Sequence, residues 1–417
     1  MKSAARAVTA AWLLAAVYYF YQYVLRSAPA VMMPELSEAF GLSAIGVASL
    51  AGLFYYGYSP FSLVAGVALD RWGARTVVPI GAAAVGIGAL AFASGNLQLA
   101  SVGRFVQGAG GVFSLLGAVY LATKYFPASR AATLIGATQM FGMAGGFAGQ
   151  SLIGPAIASG MSWSAFWVYM GAAGLLISVL LLLFLPRATA TPERHGWVGE
   201  AGRALATVFR NPQSIMCGLI AGLMFLPTTI FDMVWGVRYL QEAHGFDYGE
   251  AVMRSSTVPL GWIIGCPLLG FLSDRIGRRK PVIAVSALVL LVCLAWILFG
   301  PHAQLPPYVV GFVAGLASGA AMLPYTIIKE ANPANMSGTA TGVINFLNFT
   351  LSALLGPVFA GLLSRASAGA DRTLEHYQFA FQPMLIGVAV AFVLTLLLRE
   401  TGPAARPQVT RALGEES

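Results

Sequence analysis

The sequence predicts an all-α membrane protein with twelve transmembrane helices in two pseudo-symmetric six-helix bundles. The chain has 417 residues, of which 58% are hydrophobic and 10% charged, and its mean hydropathy is +0.75. Soluble domains carry about 25% charged residues, so lipid must be the main solvent. Helices are expected because a lipid-exposed backbone must satisfy its own hydrogen bonds, and the segments lack the short alternation of barrel strands. A polar motif that occurs twice indicates two related halves.

Twelve apolar stretches are long enough to cross a bilayer, for which a helix needs about 20 residues. A polar segment separates the first six stretches from the last six. We predict a first half at 1–185, a linker at 186–212 with an amphipathic helix, a second half at 213–400 and a disordered tail at 401–417. The predicted spans are 8–34, 43–69, 76–97, 99–125, 131–158, 163–185, 213–242, 248–273, 281–300, 306–329, 336–364 and 377–398.

The duplicated motif lies between the second and third spans of each half. The first copy contains Gly66, Asp70, Arg71, Gly73 and Arg75, and the second contains Gly270, Asp274, Arg275, Gly277 and Arg279 at the same spacing. Further along, Gly136 matches Gly342, and Gln139 falls opposite Asn345. The correspondence therefore extends from the loops into the fifth and eleventh spans.

The net charge of +8 is explained by membrane topology. Most Lys and Arg residues fall on one side of the predicted spans, which the positive-inside rule assigns to the cytoplasm. We therefore expect an integral protein of the cytoplasmic (inner) membrane with both termini in the cytoplasm, and no nucleic-acid partner. The first apolar run is too long for a signal peptide and is interpreted as an uncleaved span.

Motifs for enzymatic chemistry are not found in the sequence. Cys217, Cys266 and Cys293 fall inside predicted spans and have neither metal-ligand spacing nor a disulfide framework. The sequence contains no phosphate-binding G-x-x-x-x-G-K-[ST] loop and no H-E-x-x-H motif. We expect a protein that is not an enzyme, with no catalytic residues, no metal site and no cofactor.

Two motifs in register resemble signatures of the major facilitator superfamily. The first loop motif resembles G-x-x-x-D-R-x-G-x-R, and the segment from Arg104 to Gly110 resembles the fourth-helix signature R-x-x-Q-G-x-G. The resemblance covers 8–400 and implies a secondary transporter whose halves rock about a midplane site. Gly154-Pro155 is followed by Ala158 where drug antiporters of the family carry glycine, which disfavours multidrug efflux.

The resemblance also implies that the loop motifs form a gate. Asp70 and Asp274 would pair with cations and with positive helix ends when the cytoplasmic side is closed, as helix N-termini favour anions. The glycines would allow tight turns. The alternative is that the charges only set orientation, although orientation requires no aspartates.

Arg26 is the most informative cation within a predicted span. At helical spacing it shares a face with Tyr19 and with Gln22 or Tyr23. A planar guanidinium binds carboxylate or phosphate bidentately, and the resemblance adds that organic-anion transporters of the family often carry an arginine in the first helix. The alternative is an interfacial arginine that extends to the headgroups.

Two other ionisable groups are candidates for proton coupling. Asp232 is the clearest carboxylate deep within a span, and such groups are usually functional. It would carry a proton unless a buried arginine holds it permanently. Arg104 either takes part in proton coupling or substrate attraction, or is satisfied by nearby carbonyls or polar residues.

Polar residues on other spans are expected to line the substrate site. Trp235 shares a helix face with Asp232, whereas Gln139, Asn345 and Asn348 lie on the fifth and eleventh spans. Polar stripes in lipid face either protein or a cavity, so these residues bind substrate or join helices. Lys329 and Glu330, at the end of the tenth span, are expected to pair with each other or with the linker.

These observations together predict a monomeric transporter that takes up a small organic anion, such as a carboxylate or a sugar acid, together with protons. Arg26 would hold the anion and Asp232 would carry the proton. Two alternatives remain open: an exporter or carrier of neutral solutes, peptides or siderophores, and a membrane sensor that binds a ligand without transport. The predicted substrate-binding residues are Tyr19, Gln22, Tyr23, Arg26, Gln139, Trp235, Asn345 and Asn348.

Overall fold

A computed structural model describes residues 2–186, 197–301, 308–368 and 371–405 of the chain. Ten of its helical ranges are long and apolar enough to cross a membrane. The two remaining predicted spans, 43–69 and 131–158, correspond to the helices Ala44–Trp72 and Ala131–Ser151. The chain is an all-α membrane protein, as predicted.

Helices of the first half and the linker succeed one another with short connections. They are α1 Lys2–Ser27, α2 Met33–Phe40, α3 Ala44–Trp72, α4 Ala74–Ala93, α5 Leu97–Tyr125, α6 Ala131–Ser151, α7 Ile153–Ala158, α8 Trp163–Phe184 and the linker helix α9 Trp197–Arg210.

The second half repeats this arrangement with more breaks in its helices. Its elements are α10 Pro212–Leu226, a π-helix Pro227–Gly236, α11 Val237–His244, α12 Tyr248–Ile276, α13 Lys280–Phe299, α14 Val309–Ser318, a 3₁₀-helix Gly319–Met322, α15 Leu323–Glu330, α16 Ser337–Ser367 and α17 Leu374–Leu397.

Several predicted spans are interrupted where proline or glycine changes the backbone. The first span passes through a 3₁₀ turn at Ala28–Val31, which contains Pro29, before α2 begins. The seventh switches to π geometry at Pro227. Proline lacks the N–H that a regular helix requires, so it favours such breaks. π segments occur often at functional sites, and Asp232 lies in the middle of this one.

The two halves meet through two equivalent helix pairs, α3 with α16 and α6 with α12. Glycines allow the backbones to approach closely. A Cβ atom at Gly342 would lie 2.3 Å from the carbonyl oxygen of Ser62, and one at Gly136 would lie 2.1 Å from that of Cys266. Gly136 and Gly342 are equivalent in the duplicated sequence, so both crossings depend on a small residue at the same position.

The linker helix α9 identifies one end of the bundle, which we call the linker end. Glu200 lies 3.9 Å from Arg71, and Asn211 donates a hydrogen bond to the carbonyl of Ala331 at 2.9 Å. Positions 187–196 of the predicted linker lie outside the described residues.

The start of the tail packs against the second loop motif. Residues 401–405, which we expected to be disordered, include a 3₁₀-helix at Pro403–Ala405, and the N–H of Ala404 donates to the carbonyl of Gly277 at 3.0 Å. Positions 406–417 lie outside the described residues.

Candidate functional site

Arg26 lies between the two halves, surrounded by aromatic rings. Its guanidinium carbon is 4.8 Å from the ring centroids of Tyr23 and Tyr55 and 5.0 Å from that of Phe349, which belongs to α16 of the other half. Its Nε donates to the Tyr55 hydroxyl at 3.1 Å. The rings hold the cation in place without neutralising it. Rings from both halves surround the guanidinium, which favours the first interpretation over an arginine that extends to the headgroups.

The charge of Arg26 is not compensated by a carboxylate of the described residues. Within the described ranges, no carboxylate oxygen lies within 4.0 Å of its nitrogens. Its Nη1 atom is buried and makes no hydrogen bond to the described residues. A buried charged donor without a partner is costly, and an anion would satisfy it.

Polar side chains join Arg26 to both halves. The ring of Tyr58 on α3 lies 6.0 Å from the guanidinium carbon of Arg26 and 4.8 Å from the ring of Phe349 on α16. Tyr19 donates to the Oε1 atom of Gln139 at 3.0 Å. We call this set the central cluster; it comprises Tyr19, Tyr23, Arg26, Tyr58, Gln139, Tyr325, Asn345 and Asn348.

Asn345 and Asn348 of α16 complete the central cluster through Tyr325. The Tyr325 hydroxyl donates to Asn345 at 3.1 Å and accepts from the Nδ2 atom of Asn348 at 3.2 Å. Asn345 also donates to Ser62 of α3 at 2.8 Å, across the boundary between the halves. All three residues are buried. A polar network that spans both halves can therefore respond to their relative movement.

Gln22 is fully buried on α1 and faces α5. A Cβ atom at Gly111 would lie 2.9 Å from its Cγ atom. Neither atom of its amide has a hydrogen-bond partner among the described residues. Gln22 is therefore available to a polar ligand or to water.

Arg104 is held by carbonyl groups, as one of the two sequence interpretations proposed. Its Nη1 donates to the carbonyl of Leu25 at 3.2 Å and to Gln107 at 2.8 Å, and its Nη2 donates to the carbonyl of Ala51 at 3.2 Å. The residue is 1% exposed. The side chain therefore joins α5 to α1 and α3.

We expect Arg104→Leu to destabilise the first half strongly, because it removes three hydrogen bonds by which a buried guanidinium joins α5 to α1 and α3. Each hydrogen bond to a charged group contributes about 1.5–3 kcal/mol. The thermal unfolding temperature in detergent should fall well below that of the matched variant Arg238→Leu, since Arg238 is exposed. A normal unfolding temperature combined with lost transport would instead indicate a direct role of Arg104 in transport.

Asp232 lies in a cavity within the second half. Residues of the π-helix and of α11 to α14 line the cavity, and its volume of about 90 Å³ is large enough to hold water. Asp232 is 9% exposed and accepts a hydrogen bond from Ser255 at 2.8 Å. No cation lies within 4.0 Å of it among the described residues. The sequence alternative, permanent pairing with a buried arginine, is therefore not observed in the described residues.

Asp232 and Trp235 are not brought into the central cluster. The cavity around Asp232 is lined by the second half alone, and Trp235 is not among its lining residues. The indole of Trp235 instead lies 5.3 Å from the guanidinium carbon of Arg372, which follows α16. The π geometry explains why Asp232 and Trp235 have different surroundings, because α-helical spacing does not predict which residues of a π-helix share a face.

The first loop motif connects the halves at the linker end. Asp70, near the end of α3, accepts hydrogen bonds from the backbone N–H groups of Gly338 and Thr339, each at 2.7 Å, and from the Thr339 hydroxyl at 2.7 Å. These groups form the N-terminus of α16, which favours a negative charge. A Cβ atom at Gly66 would lie 2.5 Å from the carbonyl oxygen of Gly338.

The second motif makes the equivalent contact with the first half. Asp274 accepts from the N–H and the hydroxyl of Thr133, at the start of α6, at 2.8 and 2.7 Å. Its other oxygen pairs with Arg279 at 2.6 Å. A Cβ atom at Gly270 would lie 2.4 Å from the carbonyl oxygen of Ala132. Both aspartates therefore close the linker end, each on a helix N-terminus of the opposite half.

Arg279 is the centre of a charge network in the second half. It is fully buried and also pairs with Glu330 at 3.0 Å. Burial alone would lower the pKa of Arg279, but its hydrogen bonds and charge interactions with Glu330 and Asp274 raise it above the ordinary value. Glu400 accepts from the N–H groups of Arg279 and Lys280 at 2.8 and 3.0 Å. The chain after α17 is thereby fixed to the loop.

Lys329 and Glu330 do not pair with each other, and among the described residues neither pairs with the linker, which corrects the sequence expectation. Glu330 pairs with Arg279, whereas Lys329 donates to the carbonyl of Val119 at 3.3 Å and to the Thr123 hydroxyl at 3.1 Å. Both acceptors belong to α5. Adjacent residues on a helix point in different directions, so one joins the halves and the other supports the second motif.

The remaining motif residues have separate local roles. Gly73 and Gly277 have φ angles of 74° and 69°, which favour glycine. Arg75 donates to the carbonyl of Leu185 at 3.0 Å, unlike its counterpart Arg279. Arg71 lies near Glu200, and Arg275 is exposed.

Several members of the site were not identified from the sequence. Tyr55 and Tyr58 lie on α3, Tyr325 on α15, and Phe349 on α16. Tyrosine and phenylalanine are frequent in membrane helices, so only their packing distinguishes them. One available signal was that Asn345 and Phe349 are four residues apart and therefore share a helix face.

Comparison with known proteins agrees with this architecture. The family model described as Major Facilitator Superfamily matches residues 15–357. The Hexuronate transporter of Bacillus subtilis (strain 168) is 26% identical over 363 residues, which cover 82% of this chain and 84% of that protein. The Probable sulfoacetate transporter SauU of Cupriavidus necator is 24% identical over 418 residues, which cover 95% and 96%.

A solved structure has the same fold. The major facilitator transporter FucP in its outward conformation matches with a TM-score of 0.71 at 20% identity, covering 94% of this chain and 99% of FucP. The family match, the two related halves and the paired loop motifs lead to one conclusion: the chain belongs to the major facilitator superfamily of membrane transporters.

Proposed function

We propose that this transporter takes up a small organic anion together with a proton. The observation that carries the proposal is the guanidinium of Arg26, which lies between the halves without a carboxylate within 4.0 Å among the described residues and with a buried, unpartnered Nη1 atom. A site with excess positive charge concentrates anions. Two relatives support the proposal, since one is named for hexuronate and the other for sulfoacetate.

The proton is assigned to Asp232. Its cavity contains space for water, and among the described residues its carboxylate has one hydrogen-bond donor, Ser255. An unpaired charge is costly in a membrane. A carboxylate that loses contact with water when the transporter changes state is therefore expected to take up a proton. Cotransport of one proton with one monoanion moves no net charge, so the membrane potential does not oppose uptake.

The linker end is assigned to the cytoplasm and the protein to the cytoplasmic membrane, with both termini inside. Cationic residues collect at this end. The closed contacts of Asp70 and Asp274 then correspond to a state that faces the exterior, from which substrate is taken up. One chain contains both halves and both sites, so a monomer is the functional unit.

A flux assay tests the proposal. Purified protein in proteoliposomes should accumulate a labelled organic anion when the outside is acidic, and accumulation should collapse with a protonophore. Outward flux under the same gradient would indicate an exporter. Saturable binding without flux would indicate a sensor, and uptake of neutral sugars but no anion would contradict the anion assignment.

We expect Asp232→Asn to abolish accumulation driven by a pH gradient, while exchange of labelled for unlabelled substrate continues. An amide can still accept the hydrogen bond from Ser255 but cannot carry a proton. Both activities are measured in the same proteoliposomes at several external pH values. Glu35→Gln is the matched control, because Glu35 has a buried carboxylate oxygen without a partner among the described residues. Loss of coupling in Glu35→Gln alone would overturn the assignment to Asp232.

A further inference from the structure

Unpartnered polar atoms in the central cluster specify more than the charge of the ligand. Five buried atoms lack a hydrogen-bond partner among the described residues: Nη1 of Arg26, Nε2 of Gln139, Oδ1 of Asn348 and the hydroxyls of Tyr23 and Tyr58. They come from α1, α3, α6 and α16, so both halves contribute. Buried polar groups are nearly always paired in folded proteins, and a concentration of unpaired ones indicates the chemistry of a missing ligand.

Arg26 is the cation of the central cluster. The nearby Arg104 uses both of its Nη atoms on the carbonyls of Leu25 and Ala51 and on Gln107, so of its nitrogens only the buried Nε is without a partner among the described residues, and it cannot offer a pair of free donors to a second acidic group. Lys329 is occupied by Val119 and Thr123 on α5. A second anionic group would therefore be desolvated without a counter-charge, which is strongly unfavourable. The site fits a monoanion better than a dianion.

The other unpaired atoms require a ligand that both donates and accepts hydrogen bonds. The Oδ1 atom of Asn348 is an acceptor and needs a donor, whereas the Nε2 atom of Gln139 is a donor and needs an acceptor. Hydroxyl groups satisfy both requirements. The rings of Tyr23, Phe54 and Phe349 around Arg26 provide apolar surface for a carbon skeleton.

We propose that the ligand is a polyhydroxylated monocarboxylate, such as a six-carbon sugar acid, with its carboxylate on Arg26 and its hydroxyls on Tyr58, Gln139 and Asn348. This inference rests on the proposed function and refines it. Among the ligands named for the two relatives, it favours the hexuronate type over sulfoacetate, which has two acidic groups and no hydroxyl. Asn348 and Tyr58 are then the residues that determine specificity.

Competition for uptake tests this inference. Uptake of labelled D-glucuronate into proteoliposomes is measured in the presence of an unlabelled competitor. The competitors are D-glucuronate, glucarate, sulfoacetate, propionate and glucose. We expect D-glucuronate to compete at least tenfold better than the two dianions, propionate and glucose. Sites that hydrogen-bond a substrate hydroxyl reject analogues that lack it by large factors, up to about 10⁴-fold.

Two variants separate hydroxyl recognition from anion binding. Tyr58→Phe and Asn348→Leu should each raise the KM for D-glucuronate by about 10-fold or more, and leave inhibition by propionate unchanged. Tyr56→Phe is the matched control for Tyr58→Phe, since Tyr56 lies on the same helix and is 71% exposed. Tyr58→Phe removes a single oxygen, so it keeps the test available if Asn348→Leu does not fold.

The outcomes distinguish this inference from the proposed function. If sulfoacetate or glucarate competes as well as D-glucuronate, or if both variants weaken all anions equally, the polyhydroxylated monocarboxylate is wrong while anion transport stands. If no anion in the set is transported or bound, the proposed function itself fails.

Discussion

Arg26→Ala should lower anion uptake at least 100-fold and leave the fold intact. Truncating one partner of a desolvated charge pair costs about 3–5 kcal/mol, and 1.4 kcal/mol corresponds to a factor of ten. The fold should tolerate the change because Arg26 makes a single hydrogen bond to the described residues, from Nε to the Tyr55 hydroxyl. Initial uptake rates and the thermal unfolding temperature of the same preparation measure both expectations.

Two further variants control the interpretation. Arg26→Lys keeps the charge but loses the planar pair of donors, so it should retain weak uptake with a raised KM. Arg238 is exposed and lies near the end of the seventh span that is farther from the linker end. Arg238→Ala should therefore transport normally. Uptake by Arg26→Ala at the parent rate would overturn the anion site. An unfolding temperature that rises with D-glucuronate in the parent but not in Arg26→Ala would support it by an independent measurement.

The fold and most of the central cluster could be predicted from the sequence because a membrane restricts both the backbone structure and the number of polar side chains. Lipid requires long apolar helices, and the duplication places equivalent residues in equivalent positions. Arg26, Gln139 and Asn345 were therefore recognisable as rare polar groups in apolar surroundings. Their contacts with Tyr58 and Tyr325 were not predictable, because tyrosines in such helices occur equally at interfaces and in cores.

The position of Asp232 could not be derived from the sequence. Helical spacing placed it on one face with Trp235, but Pro227 begins a π-helix that changes the angle between successive residues. Asp232 consequently faces a cavity within the second half, and Trp235 lies near Arg372. Likewise, the adjacent residues Lys329 and Glu330 bind different partners. Predicting this requires knowledge of which helices lie beside them.

The two gates are related by sequence but differ in their chemistry. Both carboxylate oxygens of Asp70 accept hydrogen bonds from the N-terminus of α16, three in all and each at 2.7 Å. Asp274 places one oxygen on the N-terminus of α6 and the other on Arg279, which is fully buried. Asp70→Asn therefore removes an anion from a helix terminus, whereas Asp274→Asn also breaks a buried ion pair.

We expect both variants to open the linker end, with Asp274→Asn the more severe. Interactions at helix N-termini contribute about 0.5–2 kcal/mol, whereas breaking a buried ion pair costs about 3–5 kcal/mol. Both variants should lower the transport rate more than the substrate affinity, because the hydrogen bonds and ion pair of Asp70 and Asp274 within the described residues involve no member of the central cluster. The maximal rate and KM are measured by uptake.

Thiol accessibility reports the gate independently of transport. Cys266 is 1% exposed, and its carbonyl lies at the crossing of α12 with Gly136 of α6. With Cys217 and Cys293 replaced by alanine, Cys266 should react faster with a soluble maleimide in Asp274→Asn than in Asp70→Asn, and slowest in the parent. Asp247→Asn is the matched control, since Asp247 caps its own helix α12 at the opposite end. Equal reactivity and unchanged turnover in both gate variants, at normal expression, would mean that the loop motifs set only membrane orientation, and the duplicated aspartates would then need another explanation.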